Sequence, residues 1–175
     1  MATPGRPAAL PSRVAITIRP YASADAEETL DVFIEAVTRT AAADYTAEQI
    51  EAWARPNDRA LEDWDQDRLR VDTFVAVVDG HVAGFSDVSA AGYVDMMFVS
   101  PRHGRRGVGH ALMTFLEERA LAAGADQMSA DVSLTARPFF AAHGFVVEAE
   151  QHPVIHGVQM TNFHMTKPLV QSEQS

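Results

Sequence analysis

The sequence predicts a mixed α/β domain, a mostly antiparallel sheet of about seven strands flanked by about four helices. Three observations carry this. Segments of strand period and helix period follow one another in the order β-α-α-β-β-β-α-β-α-β-β across residues 14–169. Asp79-Gly80-His81 separates two branched runs, a turn signal that makes the flanking strands antiparallel. A chain of 175 residues, 47% of them hydrophobic, suffices for one well-packed core and is short for two. One domain is therefore expected over residues 13–170. Residues 1–12, which include Pro4, Pro7 and Pro11 and little to bury, are expected as a flexible arm, and residues 171–175 as a flexible tail.

Val14 to Arg19 alternates branched with smaller residues and stops at Pro20, which suits a first strand. Ser23 is placed to cap a helix from Ala24 to Arg39, on which Leu30, Phe33, Ile34 and Val37 recur along one face. Thr46 with Gln49 makes a capping box for a second, short helix carrying Ile50 and Trp53 and broken before Pro56. Thr73 to Val78 and Val82 to Ser89 form the hairpin. Ala90-Ala91-Gly92 then turns the chain into Tyr93 to Val99, completing an antiparallel meander. A long helix follows, with Val108, Leu112, Phe115 and Leu116 on one side, Thr114, Glu117 and Glu118 on the other, and Gly124 at its end. Gln127 to Val132 is a further strand and Ala136 to His143 a further helix. Gly144-Phe145-Val146-Val147 opens another strand, and Gln159 to Lys167 alternates as the last.

The segment Arg102-His103-Gly104-Arg105-Arg106-Gly107-Val108-Gly109-His110-Ala111 joins the meander to the long helix. Glycines there let the main chain approach a ligand, and the first N–H groups of the helix have no internal partner. Arg102, Arg105 and Arg106 add cations, with no acidic residue between Pro101 and Phe115, so the segment suits a diphosphate. It is not a P-loop, since His110 and Ala111 stand where the phosphate-binding Lys and the magnesium-binding hydroxyl belong. A dinucleotide fingerprint starting at Gly107 fails as well, because its third small residue would be Leu112.

What remains resembles the acetyl-CoA loop of the GCN5-related N-acetyltransferase (GNAT) family, Gln/Arg-x-x-Gly-x-Gly/Ala after a strand ending in apolar-Val-x-Pro. Phe98-Val99-Ser100-Pro101 supplies the strand end, and Gly107 and Gly109 the two glycines. Gly104 stands where the family usually has Gln or Arg, and Arg105 follows one residue later. A second stretch, Ser133-Leu134-Thr135-Ala136-Arg137-Pro138-Phe139-Phe140-Ala141-Ala142-His143-Gly144-Phe145, is similar to the family's Asn-x-x-Ala-x-x-Phe-Tyr-x-x-x-Gly-Phe. Ala136, Phe139, Gly144 and Phe145 agree; Ser133 and Phe140 replace the Asn and the Tyr. The resemblance implies the GNAT fold, acetyl-CoA as acyl donor, and an amine acceptor attacking the thioester directly while both are bound. It places the coenzyme against Gly104, Arg105, Arg106, Gly107, Val108, Gly109 and His110, against main-chain groups of Met97, Phe98 and Val99, and against Ser133.

The reaction needs a deprotonated amine. An alkylammonium of pKa near 10.4 is neutral only to roughly a part in a thousand at pH 7, a cost of ~4–5 kcal/mol that a base must offset. Asp131, about where some family members carry a Glu base, and Asp95, among apolar neighbours, are the candidate bases, Asp131 slightly ahead. With Phe140 in the usual Tyr position, three routes for the departing sulfur stay open. It leaves unprotonated or takes a proton from water, it is reached by Tyr93 or His143, or turnover is slow.

Fourteen Lys and Arg against 24 Asp and Glu, a net charge of −10, oppose general affinity for nucleic acid or an anionic membrane and favour a cationic acceptor, either a small-molecule amine (a polyamine, an aminoglycoside-like amine or an amino-acid derivative) or a protein N-terminus or lysine. The absence of Cys excludes disulfides and thiolate metal sites, and no metal is expected. With no leader-like or long apolar segment, the cytoplasm is the expected address. His152, His156 and His164 read as loop histidines rather than metal ligands, because Pro153 precludes a helix presenting the first two together and no acidic or thiolate partner is spaced beside them. Met96, Met97, Met160 and Met165 read as core. Tyr45, Trp53 and Trp64 are either packing anchors or a wall of the acceptor site. The Gln159–Lys167 strand either pairs a homodimer or is covered by its own chain. Phe140 also permits a rival reading, a non-catalytic acyl-CoA-binding sensor or interaction module that kept the cradle and lost the proton-transfer chemistry.

Overall fold

The structure, a computed structural model, describes residues 14–170, so the expected arm and tail lie outside the described residues. The hairpin forms as its turn residues require. Asp79 and Gly80 both take positive φ, 51° and 80°, and join β2 (Thr73–Val78) to β3 (His81–Asp87). Before it come β1 (Thr17–Pro20), α1 (Ala26–Glu35), α2 (Ala47–Ala54) and α3 (Leu61–Leu69). After it come β4 (Tyr93–Val94), β5 (Met97–Val99), α4 (Val108–Ala122), β6 (Gln127–Ser133), α5 (Arg137–Ala142), β7 (Val146–Gln151), β8 (Val154–Ile155), β9 (Val158–Gln159) and β10 (Asn162–Pro168).

Two four-stranded sheets result, ordered β1-β2-β3-β5 and β4-β6-β10-β7. Counting β4 and β5 as one interrupted strand gives the seven expected, antiparallel throughout except where β4 runs parallel to β6 (Tyr93 beside Ser129, Val94 beside Ala130). The alternation of β2 assigns its two faces. Val75 packs with Phe33, Val37 and Trp64 of the α1–α3 layer, while Ala76 and Val78 pack with Val108 and Leu112 of α4. Farther along α4, Met113, Leu116 and Ala120 cover Met128, Ala130, Val132 and Met165. One helix therefore spans both sheets and holds their divergence fixed.

Several expectations need correction. The first strand begins at Thr17 rather than Val14. Ser23 does not cap α1; the Asp25 carboxylate takes the Ala22 N–H at 2.9 Å and a two-pronged bond from Arg19 at 2.8 Å, which holds that carboxyl below its ordinary pKa. The first helix widens to a π turn over Ala36–Thr40 instead of running α-helical to Arg39. The Thr46–Gln49 capping box is present, with both reciprocal bonds. Helix α3 was not expected, because within Leu61–Leu69 only Trp64 and Arg68 are buried. The third strand of the meander is broken at Asp95–Met96, and a small β8–β9 hairpin precedes β10, which starts at Asn162. Because β10 lies between β6 and β7, its edges are both used within the chain, so it is not available to pair a second copy.

Gly84 on β3 is where α4 and β5 come closest to the sheet. A Cβ there would stand 2.9 Å from the Phe98 carbonyl oxygen, 3.1 Å from Val108 Cγ1 and 3.2 Å from Leu112 Cδ1. Gly84→Ala should lower the unfolding free energy by about 1–3 kcal/mol through overpacking, seen as an earlier denaturant midpoint. An unchanged midpoint would show that α4 does not need this close approach.

Candidate active site

The break in the third strand has a specific cause. Asp87, at the end of β3 and 3% exposed, turns its carboxylate to the neighbouring chain, where Oδ1 accepts the Asp95 N–H at 2.8 Å and Oδ2 the Met96 N–H at 3.2 Å. Ser86 Oγ donates to the Met96 carbonyl at 2.7 Å. With these main-chain groups held by β3, residues 95–96 pair with no strand on the other side, and β4 and β5 go to different sheets. Burial, the dominant influence, pushes the Asp87 carboxyl up to about 6, against the opposing pull of the Asp95 N–H and of Arg68. Arg68 of α3, itself buried, sits 3.6 Å from Asp87 Oδ2, lies over the Trp64 ring at 4.9 Å, and leaves its Nε without a partner among the described residues.

Beyond the break, β5 is the edge strand of its sheet. The Asp87 N–H bonds the Met96 carbonyl and the Ser100 N–H bonds the Ala83 carbonyl, while Phe98 faces Phe85. Antiparallel alternation then turns the N–H and C=O of Met97 and Val99 to the open edge. Phe98, expected with them, offers its ring instead, its main chain being committed to β3.

The loop that follows delivers the helix start. Arg105 (φ 60°) and Gly107 (φ 83°) both lie in the left-handed region, and α4 begins with no side-chain cap. Ala111 is the first N–H in this stretch to find a backbone acceptor, the Gly107 carbonyl at 3.0 Å. The seven N–H groups from Gly104 to His110 make no hydrogen bond among the described residues. At Gly109 a Cβ would come 3.0 Å from the Phe139 ring, so glycine lets the helix start lie against α5. Arg105 and Arg106 are exposed without an ion-pair partner among the described residues. Arg102 is not part of this group; it pairs with Glu35 at 2.7 Å.

These features line one cleft of about 750 Å³. On it lie Met97, Phe98, Val99, Gly104, Arg105, Gly107, Val108, Gly109, His110 and Ser133 of the expected coenzyme contacts, together with both candidate bases. Arg106 is not on its lining. Ser133 Oγ accepts the Ala136 N–H at 3.1 Å, leaving its hydroxyl proton free to donate. Two buried lining atoms, His103 Nδ1 and Asn162 Oδ1, have no partner among the described residues. Tyr45 closes the far wall, its buried hydroxyl donating to the Thr161 carbonyl (2.7 Å) and accepting the Leu134 N–H (2.9 Å); burial raises its pKa.

Asp131 and Asp95 are both exposed on the cleft. The apolar enclosure expected around Asp95 belongs to Asp87 instead. Asp131 is held at both oxygens: His164 Nδ1 donates to Oδ1 at 2.9 Å and the Tyr93 hydroxyl to Oδ2 at 3.2 Å. Tyr93 is pushed up to about 12, by burial first and then by the Asp131 charge. Neither Tyr93 nor His143 lines the cleft. His143 is fixed by the Phe139 carbonyl (2.8 Å) and by His110 (3.0 Å), whereas Phe140, packed against Phe145, does line the cleft but has no hydroxyl to offer. Trp53 lines the cleft, whereas Trp64 is a buried anchor whose Nε1 donates to Thr29 Oγ1 at 3.0 Å. Sequence reasoning missed Asp87, Arg68, Arg59 and His164, whose roles depend on burial and on cross-strand register that no local pattern encodes.

Among known proteins, the acetyltransferase (GNAT) domain family matches residues 41–167. The uncharacterized N-acetyltransferase YafP of Escherichia coli (strain K12) is 34% identical over 150 residues, covering 86% of this chain and 94% of that protein. The crystal structure of a GCN5-related N-acetyltransferase from Rhodopseudomonas palustris superposes with a TM-score of 0.84 at 33% identity, covering 93% of this chain and 99% of that one. The PaiA N-acetyltransferase of Thermoplasma acidophilum, crystallised in complex with coenzyme A, has a TM-score of 0.71 at 22% identity over 88% of this chain and 99% of that one; at that identity the likeness is one of fold. No helix among the described residues is long and apolar enough to cross a membrane.

The Asp87 carboxyl fixes a pH dependence. Its folded pKa of about 6 exceeds the unfolded value of 3.8, so between those values the folded state holds a proton that the unfolded state releases. Its contribution to stability is complete below about pH 4 and is lost as pH rises through about 6. Relative to Asp87→Asn, wild type should lose about 2–3 kcal/mol of unfolding free energy from pH 3.5 to 7.5, measured by urea titration at each pH. A difference that stays flat across that window would show that Asp87 does not titrate as described.

Proposed function

This chain belongs to the GNAT acetyltransferase family, and on that premise we propose that it transfers the acetyl group of acetyl-CoA to a primary amine by direct attack with both bound. One observation carries the donor: seven consecutive N–H groups, Gly104 to His110, with no hydrogen bond among the described residues, at the start of a fifteen-residue helix with no acid in its first turn. Such an array suits a diphosphate, with Arg105 and Arg106 adding charge. The residues present fit the coenzyme: φ at Gly107 suits glycine, and the free edge of β5 offers Met97 and Val99 N–H and C=O groups to an extended amide chain in the manner of an added strand. Ser133 is placed to donate from the facing sheet. When bound, the coenzyme supplies the activated acetyl thioester.

The protein's own contribution is then positional and electrostatic. The N–H groups on the β5 edge stand ready for negative charge on the acetyl oxygen, and backbone donors need no reorganisation. Asp131, oriented by His164 and Tyr93, takes the proton from the ammonium directly or through one water, with Asp95 as the second acceptor on the same cleft. Tyr45, the one tyrosine on the cleft lining, already donates its O–H to Thr161. Phe140 lines the cleft without a hydroxyl, so the chain places no tyrosine proton for the leaving sulfur there, and a thiol of pKa near 8.5 would leave as thiolate or take its proton from water at small cost.

That same lack of a free tyrosine hydroxyl favours the second reading, an acyl-CoA sensor without turnover. A thiol-release assay over a panel of primary amines separates the two: turnover with any amine supports the transferase, and tight coenzyme binding with none supports the sensor.

Two substitutions test the roles. Gly107→Val with Gly109→Val should weaken CoA binding by on the order of a hundredfold in calorimetric titration, the N–H array being displaced or covered; an unchanged Kd in the folded variant rejects the cradle. Asp131→Asn should lower kcat by about 10²–10⁴ at pH 7, with activity recovering as pH approaches the pKa of the amine; a kcat within a few-fold of wild type at pH 7 assigns the proton transfer elsewhere.

A further inference from the structure

On the α1–α3 wall of the cleft, opposite α4, stands a guanidinium with no carboxylate partner among the described residues. Arg59, between α2 and α3, donates Nε–H to the Ala54 carbonyl at 2.7 Å and one Nη2–H to the Trp53 carbonyl at 2.9 Å. Its Cζ lies over the Phe33 ring, 4.6 Å from the centroid, and 5.9 Å from the centroid of Trp64. Those bonds engage two of its five N–H donors; the other three have no hydrogen-bond or ion-pair partner among the described residues, and Arg59 lines the cleft. Burial, then the neighbouring Arg55 and Arg68, hold its pKa below the usual arginine value, with Asp67 opposing them. Among the described residues no carboxylate forms an ion pair with this half-buried cation, and Asp67 acts on it only through its charge.

Its position separates it from the donor. Along β5, Met97 and Val99 pack toward Val108 and Leu112 beside the glycine loop, whereas Phe98 turns to the other wall, 5.0 Å from Phe33 and 6.2 Å from Trp53 by ring centroids. Arg59 belongs to this second wall. The same cleft carries Asp131 and Asp95, so it presents carboxylates to an ammonium at one place and a pre-oriented fork of N–H donors at another.

We propose that Arg59 selects the acceptor by pairing with a carboxylate that the amine itself carries, so the substrate class is amino-acid-like. The inference rests on the acetyl-transfer reading and narrows it. The ammonium goes to Asp131 and Asp95, the carboxylate to Arg59, and the two charges fix which way the acceptor lies.

Arg59 also satisfies the last carbonyls of α2, so the test has to separate recognition from capping. Thiol release is measured for free amino acids and their carboxamides in wild type, Arg59→Gln and Arg59→Lys, with CoA affinity measured alongside. The acid-to-amide ratio of kcat/KM should fall by about tenfold or more in Arg59→Gln, mainly through KM for the acid; intrinsic amine reactivity cancels in that comparison. Arg59→Lys should fall in between. An unchanged ratio, equal losses for acid and amide, or a loss of CoA affinity instead would overturn the assignment. Fluorescence titration at Trp53 with N-acetyl amino acids and their amides reads the same site without turnover. If no amine is acetylated, a preference for the acid that disappears in Arg59→Gln still upholds the carboxylate site while the transferase reading fails, and the absence of any such preference overturns the site.

Discussion

A buried carboxylate decides where the sheet opens. Asp87 accepts two main-chain N–H groups from Asp95 and Met96, and those two bonds keep a continuous strand from forming. Tyr93 and Val94 are left to pair with β6, Met97 to Val99 with β3, and the space between becomes the cleft. Holding an acid in that setting costs solvation, as its pKa of about 6 records, and Arg68 and the N–H donors offset part of that cost. Tyr45 and α4 keep the opening at fixed width. The hydroxyl of Tyr45 ties the end of β6 to the residue before β10, and α4 packs on both sheets at once.

The cleft sorts charge along its length. One end carries backbone N–H groups and Arg105, suited to an anionic diphosphate; the middle carries the edge of β5; the side proposed for the acceptor carries two carboxylates and one guanidinium. A net charge of −10 draws cations to the protein as a whole, so the places where positive potential persists are local and built by backbone and buried side chains. In this respect the loop and Arg59 are alike: neither Arg105 nor Arg59 has an ion-pair partner among the described residues.

How much of this was legible in the sequence depends on whether the signal is local. The glycine loop, the Thr46–Gln49 box and the Asp79–Gly80 hairpin each have their causes within a few residues, and each forms as expected. The strand break does not, because Asp95 and Met96 continue the alternation of their neighbours while the group that interrupts them belongs to β3. Helix α3 escaped notice because Leu61 and Leu69 are exposed and its buried face is one tryptophan and one arginine. The partnership of Asp131 with His164 follows from β6–β10 register, which only the assembled sheet supplies. Arg59 is conspicuous only through what surrounds it.

The most direct test of the account is residue-resolved amide hydrogen exchange with and without CoA. Slowed exchange at Gly104 to His110 and at Met97 and Val99, with Phe98 already protected in the free protein by its pairing to Phe85, is the predicted result. Unchanged exchange across residues 97–110 at saturating CoA, or protection appearing only elsewhere, would contradict the claim that a split strand and its following loop form the coenzyme site.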